Sequence, residues 1–244
     1  MSATAPDGSP VGLYATLAAL GEPELIHGAV PAGSRILELG CGAGRITHEL
    51  IALGHSVTAV DNSAEMLSHV RGAETVLADI ETLDLGRTFP VVVLASNFLN
   101  APEQGELDAV LGACARHVDD GGQVLLERMP PEWEPSTRTS TTGGVEMTLH
   151  DVVRDGALVS AVMEYRADGE RWTHAFRAKL ISDDEVDTAL ERAGLARSRW
   201  LDGRRAGRSG SGTRAPSSPR GRCRPVALSS SSPSSGTRSC SPRT

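Results

Sequence analysis

The chain has 244 residues, of which 39% are hydrophobic, 3% aromatic and 23% charged, and its formal net charge is −7. A chain of this size and composition can bury one good hydrophobic core, so we expect a single folded domain. No apolar run approaches about 18 residues, and no basic start precedes an apolar stretch near the N-terminus. We therefore expect a cytoplasmic protein without a membrane span.

The charge of the chain argues against a nucleic-acid partner, and its cysteine pattern argues against disulfides and a metal site. Nine arginines and no acids follow Gly203, and removing these nine positive charges from the overall −7 leaves −16 for residues 1–202. So acidic a core, without a local basic patch, argues against nucleic-acid binding. The four cysteines form no C-x-x-C pair and have no histidines at metal spacing, so we expect neither disulfides nor a metal site.

The order of the predicted elements indicates the fold class. Residues 1–10 are small, polar and proline-containing, which predicts disorder, and helical periodicity follows over 12–20 and 23–29. From residue 35 strands and helices alternate, which predicts a doubly wound α/β fold with a parallel sheet. The predicted strands are 35–40, 56–61, 74–79, 90–96 and 122–127, and the predicted helices are 44–53, 63–70 and 103–117.

A glycine-rich turn follows the first predicted strand, in the segment ILELGCGAGR. Its alternating glycines are Gly40, Gly42 and Gly44. Glycines at the start of a helix let a ligand approach the backbone and its N–H groups. The spacing and the two flanking strands predict a nucleoside-cofactor site.

Acidic residues stand at the ends of three predicted strands: Glu38, Asp61 and Asp79. Asp61 lies 21 residues after Gly40, where a ribose would need two hydroxyls bound. Glu38 beside the turn would repel a phosphate and suits an ammonium group, and Asp79 could accept from an adenine amino group. The three acids favour a cationic, phosphate-free ligand over a dinucleotide.

Four motifs between Ser34 and Leu126 resemble those of the class I S-adenosylmethionine-dependent methyltransferases: ILELGCGAGRIT, VTAVDNSAEML, LADIETLDL and VVVLASNFLN. The resemblance implies a Rossmann-like methyltransferase sheet, S-adenosyl-L-methionine as cofactor and methyl transfer as the reaction. It implies these contacts: Glu38, Gly40, Cys41 and Gly42 at the methionine end, Asp61 at the ribose, Asn62 and Met66 beside the adenine, Asp79 and the Ile80 N–H at its edge, and Ser96 near the sulfonium. Arg45 is expected to be a surface residue.

After the fifth strand the periodicity changes from helical to alternating. The strand-like runs 146–153, 157–165 and 172–181 are joined at RDG and ADGE, two hairpin signals. They predict an antiparallel β-meander, inserted at about residues 140–181, that covers the cofactor edge as a lid. The alternative is an exposed decoration or a dimerisation flap. A helix over 183–194, capped by Ser182, and a sixth strand over 196–202 complete the domain.

The predicted domain spans residues 1–202, and residues 203–244 are predicted to be a disordered tail. The tail is rich in Arg, Ser, Pro and Gly and has no aromatic residue, and nothing after Leu201 has strand character. The resemblance implies a seventh, antiparallel strand between strands five and six, which this tail does not offer. With 23 arginines against one lysine, a frameshift near Gly203 is one interpretation and a genuine basic tail is the other.

Two residues are candidates for removing a proton from the nucleophile. Methyl transfer depends mainly on holding the nucleophile against the methyl group with water excluded, but an oxygen or ammonium nucleophile must also lose a proton. Glu127 ends the fifth strand and His150 lies on the expected lid. The alternatives are that Glu127 caps the neighbouring loop and that His150 is a surface residue.

The layout also bears on the substrate. A meander after strand five, preceded by the loop ERMPP, resembles enzymes that methylate small molecules, including amino-sugar N-methyltransferases of bacterial secondary metabolism. We expect a small-molecule acceptor, no nucleic acid and no membrane, and a homodimer is left open. Two other functions remain: a nicotinamide-dependent oxidoreductase and a cofactor-binding protein without catalysis. The acidic residues Glu38 and Asp79 argue against the oxidoreductase.

Overall fold

Strands and helices alternate along the chain, as a computed structural model that describes residues 4–202 and 224–229 shows. The strands in this part are β1 (Arg35–Leu39), β2 (Ser56–Asp61), β3 (Glu74–Leu77), β4 (Phe89–Leu94), β5 (Val118–Arg128), β6 (Arg138–Thr142), β7 (Val145–Asp155), β8 (Leu158–Ala167), β9 (Glu170–Lys179), β10 (Arg199–Asp202) and β11 (Arg224–Ser229). The helices are α1 (Val11–Tyr14), α2 (Glu22–Ala29), α3 (Thr47–Ala52), α4 (Ala64–Leu67), α5 (Gln104–His117) and α6 (Asp183–Arg192). None of these helices is both long and apolar enough to cross a membrane.

Seven strands form a parallel sheet in the order β10-β11-β5-β4-β1-β2-β3. The chain winds outward in one direction through β2 and β3 and in the other through β4 and β5, so the order reverses between β1 and β4. Ligands of doubly wound folds bind at such a reversal, outside the carboxyl ends of the strands. The predicted doubly wound Rossmann-like sheet is confirmed.

The central strands are apolar on both faces because helices cover both sides of the sheet. In β1, Leu37 and Leu39 pack into one hydrophobic cluster and Ile36 into the other, and all three are fully buried. In β4, Val92 and Val93 divide between the two clusters in the same way. Parallel strands buried on both faces read as continuous apolar runs, which is why the sequence predicts them well.

The N-terminal segment is ordered from residue 4, so the prediction of disorder over residues 1–10 is wrong for the described part. The N–H of Ala5 donates to the carbonyl of Ser9 at 2.8 Å, and Asp7 accepts from the N–H of Ser9 at 2.9 Å. Ala5 is buried against Ala43 and Met66. These contacts with the main sheet's loops order a segment whose own sequence is polar.

Three predicted helices are shorter than expected. The helix after the glycine turn begins at Thr47 rather than 44, because the N–H of Gly44 closes a turn onto the carbonyl of Cys41. The helix predicted over 63–70 ends at Leu67, and Ser63 caps it by accepting from the N–H of Met66 at 3.2 Å. The first helix has only the four residues of α1.

The predicted insertion after β5 is a separate antiparallel sheet in the order β6-β7-β8-β9. Its first strand, β6, was not predicted, because its sequence RTSTT is exposed along most of its length and shows no apolar alternation. The sheet is tied to the main body where the Nδ2 of Asn100 donates to the carbonyl of Lys179 at 2.7 Å.

Strand β11 lies between β5 and β10 and runs parallel to both. The expectation that nothing after Leu201 has strand character is therefore wrong for residues 224–229. The position in the sheet is the one that the resemblance implied for a seventh strand, but the direction is opposite. The rest of the predicted tail, residues 203–223 and 230–244, lies outside the described residues, and both the domain boundary at 202 and the frameshift stay predictions.

Strand β11 generates a prediction about stability. A chain that ends at Asp202 should melt several degrees lower than the full chain, because β5 and β10 lose the strand between them. Thermal unfolding followed by circular dichroism measures the difference. A chain that ends at Ser229 is the matched control and should melt like the full chain. Equal melting of all three would show that β11 adds nothing to the sheet.

Candidate functional site

The glycine-rich turn at the end of β1 is built for close approach of another group. Gly40 has a φ of 72°, and a Cβ there would stand 2.8 Å from the Cε2 atom of Phe98. The N–H groups of Gly40 and Cys41 both donate to the carbonyl of Val60 at 2.9 Å. The turn thus uses these donors inside the protein, whereas the sequence had led us to expect them to be offered to a ligand.

Asp61, at the end of β2, joins the turn to the next helix. Its Oδ2 accepts from the N–H of Gly42 at 2.8 Å, and its Oδ1 accepts from the N–H of Ser63 at 2.9 Å. Burial raises the pKa of Asp61, and the two N–H donors act against that rise. Asp61, the residue predicted to bind the ribose, is therefore held in place beside the glycine turn.

The residues predicted around an adenine also meet at this edge. Asn62 donates from Nδ2 to the Oδ1 of Asp79 at 3.0 Å, which joins the ends of β2 and β3. Met66 is buried, and the Cδ1 of Ile80 lies 3.5 Å from where a Cβ on Gly40 would stand. Met66 and Ile80 thus lie beside the glycine turn, and Asn62 and Asp79 join the two neighbouring strand ends.

Glu38 is a buried carboxyl group in β1, with 2% of its surface exposed. The hydroxyl of Thr47 donates to its Oε2 at 2.6 Å. Burial raises the pKa of Glu38 to about 7, against the opposing effects of Thr47 and Arg45. The group is poised between its two protonation states near neutral pH, and a neighbouring cation would favour the carboxylate.

Glu127, the penultimate residue of β5, holds the loop that follows β4. Its Oε2 accepts from the N–H of Ser96 at 2.7 Å. Burial raises the pKa of Glu127, and the hydrogen bond from Ser96 acts against the rise. The carboxyl group therefore caps the neighbouring loop, which was the simpler of the two interpretations, and it stands at the edge where catalysis was predicted.

Arg45 is not the surface residue that the sequence led us to expect. Its Nη1 donates to the Oε1 of Glu22 at 2.6 Å, and the two side chains are only 20% and 12% exposed. Burial alone would lower the pKa of Arg45, but Glu22, Glu127 and Glu38 together raise it. The one feature of the sequence that could have predicted this burial is the position of Arg45 directly after Gly44, from which its side chain can reach the sheet edge.

Tyr14 lies beside the glycine turn, and Tyr165 of the second sheet lies near Tyr14. The Cδ1 of Tyr14 lies 3.7 Å from where a Cβ on Gly42 would stand. Burial raises the pKa of Tyr165 in β8, with Tyr14 and Arg45 as its electrostatic neighbours. Tyr165 pairs across strands with Trp172, so the two side chains lie on the same face of the second sheet, the one nearer to Tyr14 and the glycine turn.

His150 lies on the other face of the second sheet. It pairs with Val162 in β8, three residues from Tyr165, and side chains three apart on a strand point to opposite faces. Its Nδ1 is hydrogen-bonded to Asp151 at 3.0 Å. The described contacts thus place His150 with Asp151 and not with Glu127, and its catalytic role stays a prediction.

A family model described as a methyltransferase domain matches residues 36–122. The cypemycin N-terminal methyltransferase of Streptomyces sp is 37% identical over 106 residues, which cover 41% of this chain and 43% of that relative. A dTDP-3-amino-3,4,6-trideoxy-alpha-D-glucopyranose N,N-dimethyltransferase of Streptomyces venezuelae is 29% identical over 153 residues, 60% of this chain and 61% of that relative. The chain therefore spans less than two thirds of the length of these curated relatives.

Solved structures show the same fold. Streptomyces venezuelae DesVI superposes with a TM-score of 0.58 at 22% identity, over 76% of this chain and 84% of that one. The CcbJ methyltransferase from Streptomyces caelestis superposes with a TM-score of 0.63 at 22% identity, over 79% of this chain and 88% of that one. At these identities the likeness concerns the fold.

The contact between Gly40 and Phe98 predicts a site-specific cost of substitution. Gly40→Ala should lower the free energy of unfolding by about 2 kcal/mol more than Gly54→Ala, as measured by urea denaturation. Both glycines have a positive φ, but a Cβ on Gly54 meets nothing within 4 Å, so the control isolates the clash with the ring. Equal losses would mean that Phe98 moves aside freely.

The raised pKa of Glu38 predicts a pH-dependent stability. Between an unfolded pKa of about 4.5 and the folded pKa of about 7, the folded chain keeps a proton that the unfolded chain releases. This group's contribution to stability therefore falls as pH rises, by up to about 3 kcal/mol across that window. Glu38→Gln should remove this part of the pH dependence in urea titrations, whereas Glu49→Gln, on an exposed position of α3, should keep it.

Proposed function

We propose that the protein is a class I S-adenosylmethionine-dependent methyltransferase, to which its methyltransferase domain over residues 36–122 points, and that it methylates an amine of a small molecule. The observation that carries the proposal is that three acids lie at or just after the carboxyl ends of the neighbouring strands β1, β2 and β3: Glu38, Asp61, which is bonded to Gly42 of the glycine turn, and Asp79, which is bonded to Asn62. Acids at this edge, of which Glu38 is buried, suit a ligand with a positive charge and without phosphate.

The residues at the edge fit S-adenosylmethionine. Glu38 offers a buried carboxylate toward the methionine end, Asp61 offers two oxygens to the ribose hydroxyls, and the Asn62–Asp79 pair offers polar atoms to the adenine edge. When bound, the cofactor supplies a methyl group already activated by a positive sulfur. The protein's own contribution is to hold the nucleophile in line and to exclude water.

The charge around Arg45 supports an amine as the acceptor. The carboxyl groups of Glu22, Glu38 and Glu127 all act on this one guanidinium, so acidic groups outnumber the basic group around Arg45. Such a site attracts a protonated amine and repels an anionic acceptor. The names of two relatives agree with an amine acceptor, since one is an amino-sugar N,N-dimethyltransferase and the other an N-terminal methyltransferase, whereas other relatives are O-methyltransferases.

We assign removal of the proton to Glu127, with His150 as the second candidate. Burial raises the pKa of Glu127, which makes its carboxylate a better proton acceptor than an exposed glutamate. His150 keeps a buried Nε2 without a partner among the described residues, but register puts it on the far face of the second sheet. Glu127→Gln should therefore shift the pH profile of kcat more than His150→Gln.

The contacts of the second sheet support the prediction that this sheet is a lid. A Cβ on Gly143, in the β6–β7 turn, would stand 3.8 Å from the Cβ of Ala18, and Tyr165 lies near Tyr14. The sheet and the N-terminal segment would then close over the acceptor together. A homodimer that uses the same sheet is the alternative, and the mass of the protein in solution distinguishes the two.

Against a nicotinamide-dependent oxidoreductase stand two features of the turn. The N–H groups of Gly40, Cys41 and Gly42 are all hydrogen-bonded within the protein, so they are not offered to a pyrophosphate. The carboxyl group of Glu38 beside them would repel phosphate. A cofactor-binding protein without catalysis stays an outcome of the experiment.

Calorimetry and mass spectrometry test the proposed function. S-adenosylmethionine should bind and NAD should not, and Asp61→Asn should weaken the binding by about 2 kcal/mol, because the ribose hydroxyls lose a charged acceptor. Asp155→Asn, at the end of β7, is the matched control. With a dTDP-3-amino sugar as acceptor, the product should gain the mass of one or two methyl groups. Binding without transfer to any acceptor would favour the protein without catalysis, and binding of NAD instead would contradict the proposal.

A further inference from the structure

Two consecutive residues after β4 have a strained backbone. Ser96 and Asn97 have φ values of 66° and 62°, in the left-handed region that residues other than glycine rarely adopt. Each such residue costs on the order of 1 kcal/mol and persists where its surroundings impose it. Here the imposing group is Glu127, whose carboxylate accepts from the N–H of Ser96 at 2.7 Å and also from that of Asn97.

The side chain of Asn97 has an unused acceptor. Its Oδ1 is buried and has no hydrogen-bond partner among the described residues. A buried acceptor without a donor costs about 1–3 kcal/mol, so an atom left in this state is suited to a donor on a ligand. The oxygen accepts and cannot donate, which restricts that partner to an N–H or O–H group.

The position of Asn97 connects this atom to the cofactor edge. The residue follows β4, the strand between β1 and β5. Its neighbour Phe98 places its ring against Gly40 of the glycine turn. Asn97 therefore stands between the predicted cofactor residues on one side and Glu127 on the other.

A second asparagine in the same loop shows what a structural role looks like here. Asn100 is 3% exposed, and its Oδ1 accepts from the N–H of Met129 at 2.6 Å. Its Nδ2 donates to the carbonyl of Lys179 at 2.7 Å. Asn100 thus joins β5 and the second sheet to the loop, whereas the buried oxygen of Asn97 bonds to none of the described residues.

We propose that Asn97 is a catalytic residue whose Oδ1 accepts a hydrogen bond from an N–H of the acceptor amine and so points the nitrogen lone pair at the methyl group. The inference rests on the proposed function. Glu127 first takes one proton from the bound ammonium and so frees the lone pair. The lone pair then forms the new N–C bond, the C–S bond breaks with its electron pair remaining on sulfur, and Glu127 passes its proton to solvent. Glu127 thus also positions Asn97, because it holds the turn.

The test compares two substitutions that both tolerate a left-handed backbone. Asn97→Gly removes Oδ1 and relieves the strain, whereas Asn97→Asp keeps an oxygen acceptor in the same place. Asp168→Gly is the matched control, because Asp168 has a φ of 50° in the exposed β8–β9 turn. The probes are the dTDP-3-amino-3,4,6-trideoxy- and dTDP-3-amino-3,6-dideoxy-glucopyranoses and a short peptide with a free N-terminus.

Asn97→Gly should lower kcat/KM by roughly 10- to 100-fold, with the Kd for S-adenosylmethionine within about twofold of the wild type. The same variant should bind the amino-sugar probe more weakly in its complex with S-adenosylhomocysteine, as calorimetry measures without any turnover. Asn97→Asp should recover most of both losses, and Asp168→Gly should lose neither.

Three results would overturn the inference. Asn97→Gly could behave like Asp168→Gly, or it could lose cofactor affinity as much as activity, which would make Asn97 a part of the cofactor site. A wild-type protein that binds S-adenosylmethionine but methylates none of the three amines would refute the role of Asn97 and leave the cofactor assignment standing. Failure of the wild type to bind S-adenosylmethionine would instead reject the proposed function itself.

Discussion

The site depends on the carboxylate of Asp61, which accepts from the N–H groups of Gly42 and Ser63 at once. The glycine turn cannot hold its own shape by side-chain packing, and α4 has only four residues. Together with the carbonyl of Val60, which accepts from Gly40 and Cys41, this half-buried carboxylate fixes the turn after β1 and the start of α4. A ligand that bonds to Asp61 enters a frame already in place and loses little entropy to organise it.

Burial of acids at one edge gives the site its electrostatic character. Desolvation raises the pKa of Glu38, Asp61 and Glu127, and the charge of Arg45 offsets part of this rise for Glu38 and Glu127. The free protein thus carries carboxyl groups that are costly to ionise. A cationic ligand lowers that cost, because its charge stabilises the carboxylates, so burial of these acids favours the binding of a cation.

The end of β5 is where the site meets the rest of the fold. Arg128 is buried, donates to the carbonyl of Ile181 at 2.9 Å, forms an ion pair with Asp183 and stacks its guanidinium 3.7 Å from the ring centroid of Trp200. It ties β5 to α6 and β10, while Glu127, one residue earlier, ties β5 to the loop after β4. Adjacent side chains on one strand thus serve the scaffold and the reacting edge on opposite faces.

The sequence by itself determined β1 to β5, the glycine turn and the three acids at the strand ends, because these depend on local patterns: strands buried on both faces, glycines at a turn, acids after apolar runs. Tertiary structure decided what local patterns do not contain. Arg45 is buried because Glu22 lies near it in space but 23 residues away in sequence, and the polar N-terminal segment is ordered because Ala43 and Met66 offer it apolar surface. The face of His150 and the unused oxygen of Asn97 likewise depend on long-range partners, the pairing of β7 with β8 and the reach of Glu127 across the sheet, since burial and hydrogen bonding between distant segments exist only once the chain has folded.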